Sequence, residues 1–252
     1  RGLHRFSSGQ LHAPEDFAHP RFACRAGMAS LGRAMGGPLG DIVRRESKVS
    51  RLAAVDGQWQ ATLEDGRLVR SRSLLLTPPP AQSRALLAET APMAAQELDR
   101  HHSWPCLAVA ACFSRMELPW QGIQAPDDEV LTWIGHDTSK RPGLHPDRTI
   151  LMLHAAPSFS VANADAPEGE IAAALLRRAS EMTSLDLCSP LEIFLQRWRY
   201  ALPASSETPS GPIAQTLPAP LVVAGDWCHG GRIEGAWTAG RDAAERLLAL
   251  RR

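Results

Sequence analysis

The stretch Leu221-Val-Val-Ala-Gly-Asp226-Trp-Cys-His-Gly-Gly231-Arg-Ile-Glu-Gly235-Ala-Trp-Thr-Ala-Gly240 decides how this chain is read, because a short apolar run stops at Gly-Asp and passes through a glycine-rich turn into a helix. Leu221 to Ala224 is too short for a helix and apolar on both faces, as a strand of a covered parallel sheet is. Gly225 is expected to let the backbone turn sharply. From Glu234 onward, Trp237, Gly240, Ala243, Ala244, Leu247 and Leu248 share one helical face. The N-terminus of such a helix carries unpaired N–H groups and a partial positive charge, and it attracts phosphate. Asp226, at the carboxyl end of the strand, is placed to accept hydrogen bonds from a sugar or ribityl hydroxyl in the crevice where open α/β sheets bind ligands. An ordinary strand–turn–helix connection has the same pattern.

Upstream the chain falls into two further blocks. From Arg25 to about Leu87 the pattern predicts a helix over Met28 to Met35, with Met28, Leu31 and Met35 on one face, and a strand near Asp41 to Arg44. Gly36, Gly37 and Gly40 read as the cap that ends the helix. Three extended runs follow, Lys48 to Val55, Gln58 to Leu63 and Leu68 to Leu76, separated by Asp56-Gly57 and Asp65-Gly66. Asp-Gly between apolar segments is a strong hairpin signal, so a three-stranded meander is expected.

From Ala88 to Pro218 the sequence is interrupted by prolines and predicts strands at Cys106 to Phe113, Val130 to His136, Ile150 to Ala155 and Glu192 to Tyr200. A helix from near Pro167 to Met182 has Asp165 as its expected N-cap. Phe194, Gln196, Trp198 and Tyr200 share one face of the last strand, which suits either core or a wall over a flat ring, with Arg197 and Arg199 opposite. Trp133, His136 and Lys140 are further pocket candidates.

With 252 residues the chain can bury a sizeable core as one large or two smaller domains. Lys plus Arg 27 balances Asp plus Glu 27, without blocks of like charge, so neither nucleic acid nor an anionic membrane is an expected partner. No apolar run approaches the roughly 20 residues that span a bilayer. Cys24, Cys106, Cys112, Cys188 and Cys228 are odd in number and widely spaced, which points to a reducing cytoplasm. His101-His102 has no partner at metal-ligand spacing, and Ser and His occur without Gly-x-Ser-x-Gly, so neither a metal site nor a hydrolase triad is expected.

Ala224-Gly-Asp-Trp-Cys, followed by Gly230-Gly-Arg-Ile-Glu-Gly-Ala-Trp, resembles the C-terminal flavin-binding motif of the FAD-dependent amine-oxidase superfamily, and within it the bacterial renalase-like oxidoreductases. Ala26-Gly-Met-Ala-Ser-Leu, Leu75-Leu-Thr-Pro-Pro-Pro-Ala-Gln, Trp133-Ile-Gly-His-Asp-Thr-Ser-Lys and Arg197-Trp-Arg-Tyr-Ala-Leu-Pro are similar to other blocks of the family in the same order. The resemblance implies an α/β (α+β) fold, a Rossmann-like FAD/NAD(P)-binding domain of amine-oxidase type with an inserted mixed-sheet substrate domain. It would divide the chain into a partial FAD-binding domain over 1–87, a substrate domain over 88–218 and a flavin-binding strand–turn–helix over 219–252. FAD contacts are implied for Val49, whose backbone would meet the adenine, for Thr77 and Pro78, and for Gly225, Asp226, Gly231, Arg232, Ile233 and Glu234. Substrate contacts are expected from Trp133, His136, Gln196, Trp198 and Tyr200. No residue is assigned as an essential acid or base, because the flavin carries the hard chemistry.

Members of the family open with a strand, a Gly-x-Gly-x-x-Gly turn and a helix that bind the FAD pyrophosphate. None of these is seen at Arg1-Gly-Leu-His, so the chain is expected to be a fragment or truncated product of a longer protein. The strand at Leu221 to Ala224 is then expected to have an open edge where the family's first strand pairs. The implied activity is oxidation of off-pathway dihydronicotinamide isomers with oxygen as acceptor, giving hydrogen peroxide. Oxidation of an amine is the alternative within the superfamily, and a non-catalytic remnant that no longer holds flavin is the alternative outside it.

Overall fold

Two clusters of buried side chains, one around Val109, Ile134 and Leu153 and the other around Leu52, Val222 and Ala239, organise the fold. The computed structural model describes residues 2–14, 22–141, 143–204 and 210–250. Its first half contains β1 (Gly2–Ser7), β2 (Gln10–Leu11), α1 (Ala29–Gly36), β3 (Val49–Val55), β4 (Gln58–Leu63), β5 (Leu68–Ser71), β6 (Leu74–Leu76), α2 (Pro80–Leu87) and α3 (Pro92–Leu98). Then come β7 (Ser103–Ser114), β8 (Trp120–Gln124), β9 (Leu131–His136), β10 (Arg148–Ala155), α4 (Pro157–Ala162), α5 (Glu168–Thr183), β11 (Glu192–Pro203), β12 (Ile213–Gln215), β13 (Leu221–Val223) and α6 (Arg232–Leu250). The chain divides into two compact units, residues 1–43 with 105–199 and residues 44–104 with 200–252.

The first unit is built on a seven-stranded mixed sheet of order β11-β7-β10-β9-β8-β1-β2. β10 alternates along its length, with Thr149, Leu151, Leu153 and Ala155 turned into the core and Ile150, Met152 and His154 on the other face. α5 covers the core face with Ile171, Ala172, Leu175, Leu176, Ala179 and Met182, a helical stripe of apolar side chains. Its N-cap is Pro167 and not Asp165: the Pro167 carbonyl accepts from the N–H groups of Glu170 and Ile171, and no side chain caps the helix. The segment expected as a strand at Asp41 to Arg44 begins instead in a 3-10 turn, Gly37–Ile42. Pro38 presets the tight turn, and Gly36 and Gly37 keep right-handed helical angles, so they do not form a left-handed cap. α1 buries none of its residues.

In the second unit β3, β4 and β5 form the expected meander. Asp56 and Gly57 both have positive φ, 52° and 70°, as a two-residue type I′ hairpin turn requires. The third predicted run breaks, however: β5 ends at Ser71, and β6 joins another sheet, β12-β13-β6. There β13 runs parallel to β6 and antiparallel to β12, with Leu221, Val222 and Val223 completely buried. The terminal strand is therefore central and both its edges are paired, which corrects the expectation of an open edge. β12 supplies the second neighbour by returning antiparallel from Ile213 to Gln215.

α6 starts at Arg232 and buries Gly235, Ala239 and Ala243, whereas Trp237 is 61% exposed and Leu248 is exposed too. Small residues one turn apart carry this helix against the core, not the large apolar ones. The domain boundaries expected after residues 87 and 218 both fall inside this second unit. Leu87, Ala94, Leu98 and Ala219 all belong to its core, and Phe6 near the start of the chain packs in the core of the first unit. No helix among the described residues is long and apolar enough to cross a membrane.

Candidate functional site

β13 leads directly into the segment that the sequence singles out. Gly225 is fully extended, with φ −178° and ψ −177°, so it does not make the expected sharp turn. Its lack of a side chain serves space: a Cβ there would stand 2.6 Å from Trp227 Nε1. A 3-10 turn, Asp226–His229, follows and is closed by Cys228 N–H donating to Gly225 O at 3.1 Å and Gly231 N–H donating to Asp226 O at 2.8 Å. Gly230 and Gly231 then take left-handed angles, φ 76° and 82°, which swing the chain into α6. Arg232, at φ 65°, holds the same conformation with a side chain and at a steric cost. His229 Nε2 lies 2.9 Å from Asp242 Oδ2 and ties the turn to the helix. Burial pushes the Cys228 thiol up to about 11, so it is no nucleophile at neutral pH.

Around this turn lies a cleft of about 590 Å³, lined by Thr77, Leu202, Gly225, Asp226, Arg232, Ile233, Ala236 and Gly240. Ala236 and Gly240, one helical turn apart, leave α6 without bulky side chains on that wall, and a Cβ on Gly240 would meet nothing within 4 Å. The helix N-terminus and the Asp226 carboxylate meet here, an anion-attracting end beside a hydroxyl acceptor. The buried Trp227 indole N–H, next to Gly225, has no acceptor among the described residues. These features fit an elongated, hydroxylated phosphate ester.

Of the residues expected to contact cofactor, Thr77, Gly225, Asp226, Arg232 and Ile233 line this cleft. Gly231 and Glu234 belong to the same turn and first helical turn without lining it. Pro78 uses its carbonyl to accept the Ser83 hydroxyl at 3.0 Å, and Val49 opens β3 opposite Leu63; neither reaches the cleft. His101, for which the sequence offers no role, packs on Trp227 with ring centroids 4.2 Å apart and the planes tilted by 40°.

The first unit holds its own cleft, of about 490 Å³, whose lining includes Leu3, Cys24, Met28, Gly122, Trp133, Asp137, Lys140 and Arg141. The Trp133 ring lies over two glycines of adjacent strands: Cβ atoms at Gly122 and Gly135 would each come within 2.8 Å of it. Asp137 pairs with Arg141 at 3.2 Å and lies 3.9 Å from Lys140 Nζ. His154 faces Trp133 across the β9–β10 pair, and burial together with the Lys140 charge holds its pKa below the ordinary histidine value. His136, grouped with Trp133 by sequence, is on the opposite face of β9, buried edge-on to Trp120. The two therefore line different clefts.

The aromatic stripe on β11 is neither core nor the wall of one pocket. Phe194 is 63%, Trp198 55% and Tyr200 41% exposed, because β11 is the edge strand of its sheet. Trp198 shares a small cleft with Arg197 and Arg199, while Gln196 turns its amide to the Arg197 carbonyl. Among the described residues no group of three His, Cys, Asp or Glu side chains could hold a metal ion.

Fold and cleft together describe a strand–turn–helix corner of the kind that holds a dinucleotide cofactor. The sequence matches the flavin containing amine oxidoreductases over residues 3–248, and the chain belongs to that family. Its fold is found in a protein of Exiguobacterium sp. 255-15 described as a candidate protoporphyrinogen oxidase, at 17% identity and TM-score 0.71, covering 90% of this chain and 52% of that one. Cyclohexylamine oxidase from Brevibacterium oxydans gives 16% identity and TM-score 0.67, with 90% and 53% covered. Putrescine oxidase bound to putrescine gives 16% and 0.61, with 89% and 53% covered. At such identities the likeness is one of fold, the α/β (α+β) fold of the FAD-dependent amine oxidases. The chain spans about half the length of these structures. FAD is the cofactor that goes with the family.

Proposed function

We propose that this protein is an FAD-dependent oxidoreductase of the renalase-like branch, which oxidises dihydronicotinamide isomers and passes the electrons to oxygen to give hydrogen peroxide. The observation that carries the choice of substrate is the charge of the indole-floored cleft: Lys140 and Arg141 face it with Asp137 as the acid between them. An amine is itself a cation at neutral pH, with a pKa near that of lysine at about 10.4, and meets a surplus of positive charge there. A flat dihydronicotinamide that carries phosphate meets a platform and a counter-charge.

In this reading the second unit serves the flavin and the first the substrate. Asp226 accepts a hydrogen bond from a ribityl hydroxyl, and Thr77, Gly225, Arg232 and Ile233 shape the cleft around it, with Gly231 and Glu234 setting the helix start. Val49 and Pro78 stand outside that cleft, and Trp133 carries the substrate ring. When bound, FAD supplies the hydride acceptor that the chain itself lacks. The buried Cys106 thiol, raised to about 11 by burial, stays protonated and takes no part.

Anaerobic mixing of the FAD-loaded protein with isomeric dihydronicotinamide dinucleotides should bleach the flavin absorbance, and primary amines should not. Bleaching by amines alone would establish the amine-oxidase alternative, and a full-length protein that cannot be loaded with flavin would establish the remnant. Asp226→Ala should weaken FAD binding roughly ten- to a hundredfold, the cost of a buried hydroxyl left without its acceptor. Unchanged flavin occupancy at limiting FAD would remove Asp226 from the site.

A further inference from the structure

Next to the indole-floored cleft lies a second, polar one of about 240 Å³. The two share Gln121, Ser139 and Arg141 in their linings, so they adjoin around the turn that follows β9. Arg115, Arg141 and Arg148 all line the polar cleft, together with His145. Glu117 is its lining acid and bonds Arg115 at 2.9 Å, while Arg141 is shared with Asp137 at 3.2 Å. Three guanidiniums thus stand against two carboxylates, in a chain whose charges balance overall at 27 against 27. Arg148 is the first residue of β10, and its N–H donates to the His145 carbonyl at 3.1 Å, with His145 itself held at φ 54°. That tight turn fixes where the Arg148 side chain begins. Guanidinium forks match the paired oxygens of a phosphate better than any other side chain.

We infer that the polar cleft is a subsite for the pyrophosphate of a dinucleotide substrate whose nicotinamide end occupies the Trp133 cleft. The inference rests on the substrate proposed above. It gives a use to the three guanidiniums that line the cleft beside the aromatic platform. It also makes the dinucleotide a better substrate than the bare dihydronicotinamide riboside, since only the dinucleotide reaches the arginines. Pyrophosphate recognition by charge is sensitive to salt, because the Debye length is about 8 Å at 0.15 M ionic strength.

The test uses the FAD-loaded full chain, with ADP-ribose and inorganic pyrophosphate as calorimetric probes and with dihydronicotinamide dinucleotide and riboside as paired substrates. ADP-ribose should bind in competition with the dinucleotide, and Arg148→Gln should weaken it roughly tenfold, the loss of one charge-assisted phosphate contact. The same variant should raise KM for the dinucleotide by that factor, and leave kcat, the riboside KM and the melting temperature unchanged. Arg148→Lys, which keeps the charge and loses the fork, should fall between. ADP-ribose binding that is absent, or equal in wild type and Arg148→Gln, would overturn the subsite while leaving the oxidation of dihydronicotinamides intact. Binding of inorganic pyrophosphate without competition from ADP-ribose would assign the cleft to a free anion and overturn it as well. Failure to oxidise either dihydronicotinamide, with ADP-ribose binding still dependent on Arg148, would overturn the proposed activity and retain the phosphate subsite.

Discussion

A methyl group on Gly225 would stand 2.6 Å from Nε1 and 2.7 Å from Cδ1 of Trp227, closer than carbon approaches either atom. Trp227 is 3% exposed and cannot swing aside freely. Gly225→Ala is therefore expected to push the indole or the Asp226 turn out of place. Overpacking of this kind costs about 1–3 kcal/mol, and the displaced turn carries Asp226 with it. Urea unfolding should show that loss together with weaker FAD binding; an unchanged midpoint and unchanged flavin affinity would mean that the turn adapts.

The same indole bears His101, with ring centroids 4.2 Å apart. Burial pushes the His101 pKa down from 6.5, against the opposing pull of Glu97. Above the unfolded value both states are neutral and the ring contact is intact. As pH falls below about 6.5 the unfolded chain takes up the proton first, so stability declines until the folded pKa is passed. His101→Phe keeps a ring on Trp227 and should flatten the dependence of melting temperature on pH between about 5 and 7 relative to wild type. Parallel curves for the two proteins would assign the acid sensitivity elsewhere.

The terminal strand–turn–helix was legible because each of its parts is local: Leu221 to Ala224 is uniformly apolar, and Gly230-Gly231 sits where the chain needs positive φ. The Asp56-Gly57 turn was legible for the same reason. The break at Arg72-Ser73 was not, since leaving one sheet for another depends on the β13 partner about 150 residues away and not on the run itself. α2 and α3 were missed although Pro80 and Pro92 stand at their first positions, where proline signals a helix start. The β11 stripe misled because alternation names a face without saying whether anything covers it. Trp133 and His136 were grouped by nearness in sequence, and the pleat sends them to opposite faces. Arg115, Arg141 and Arg148 come together only through the pairing of β7, β9 and β10, which no spacing rule announces.

Trp59 Nε1 donates to the Pro220 carbonyl at 3.0 Å, joining the meander to the residue just before β13. The indole is almost fully buried, in the same core as Val222 and Ala239. Trp59→Phe keeps an aromatic ring, removes the N–H and leaves the carbonyl without that donor. The Pro220 carbonyl keeps the Leu74 N–H at 2.9 Å, so the loss is that of one net hydrogen bond, about 0.5–1.5 kcal/mol, and the smaller ring adds a void. The expected outcome is a lower urea midpoint with an unchanged denaturant slope. Equal midpoints would show that the Leu74 N–H alone satisfies the Pro220 carbonyl and that the core closes over the smaller ring.

Asp128 receives Arg178 Nε at 2.9 Å and the amides of Val130 and Leu131 at 3.0 and 2.9 Å. Burial pushes its carboxyl up, and the Arg178 guanidinium with the two amides outweighs burial, so the pKa lies below 3.8. A depressed carboxylate pKa stabilises the fold above the unfolded value of about 3.9, and that contribution is lost as pH falls through the lower, folded value. Arg178 comes from α5 and Asp128 from the loop before β9, so the pair fastens the helix to its sheet. Asp128→Asn keeps the shape, weakens the acceptor and leaves Arg178 with Glu181, 2.7 Å away, as its carboxylate partner. We expect a loss of about 1–3 kcal/mol at neutral pH, since hydrogen bonds to charged groups are worth about that much. The gap between wild type and variant should shrink as pH falls below about 4, where protonation weakens the wild-type pair too. Urea titrations at pH 7 and pH 3 measure both effects, and a gap that stays constant between them would show that the ion pair does not fasten α5.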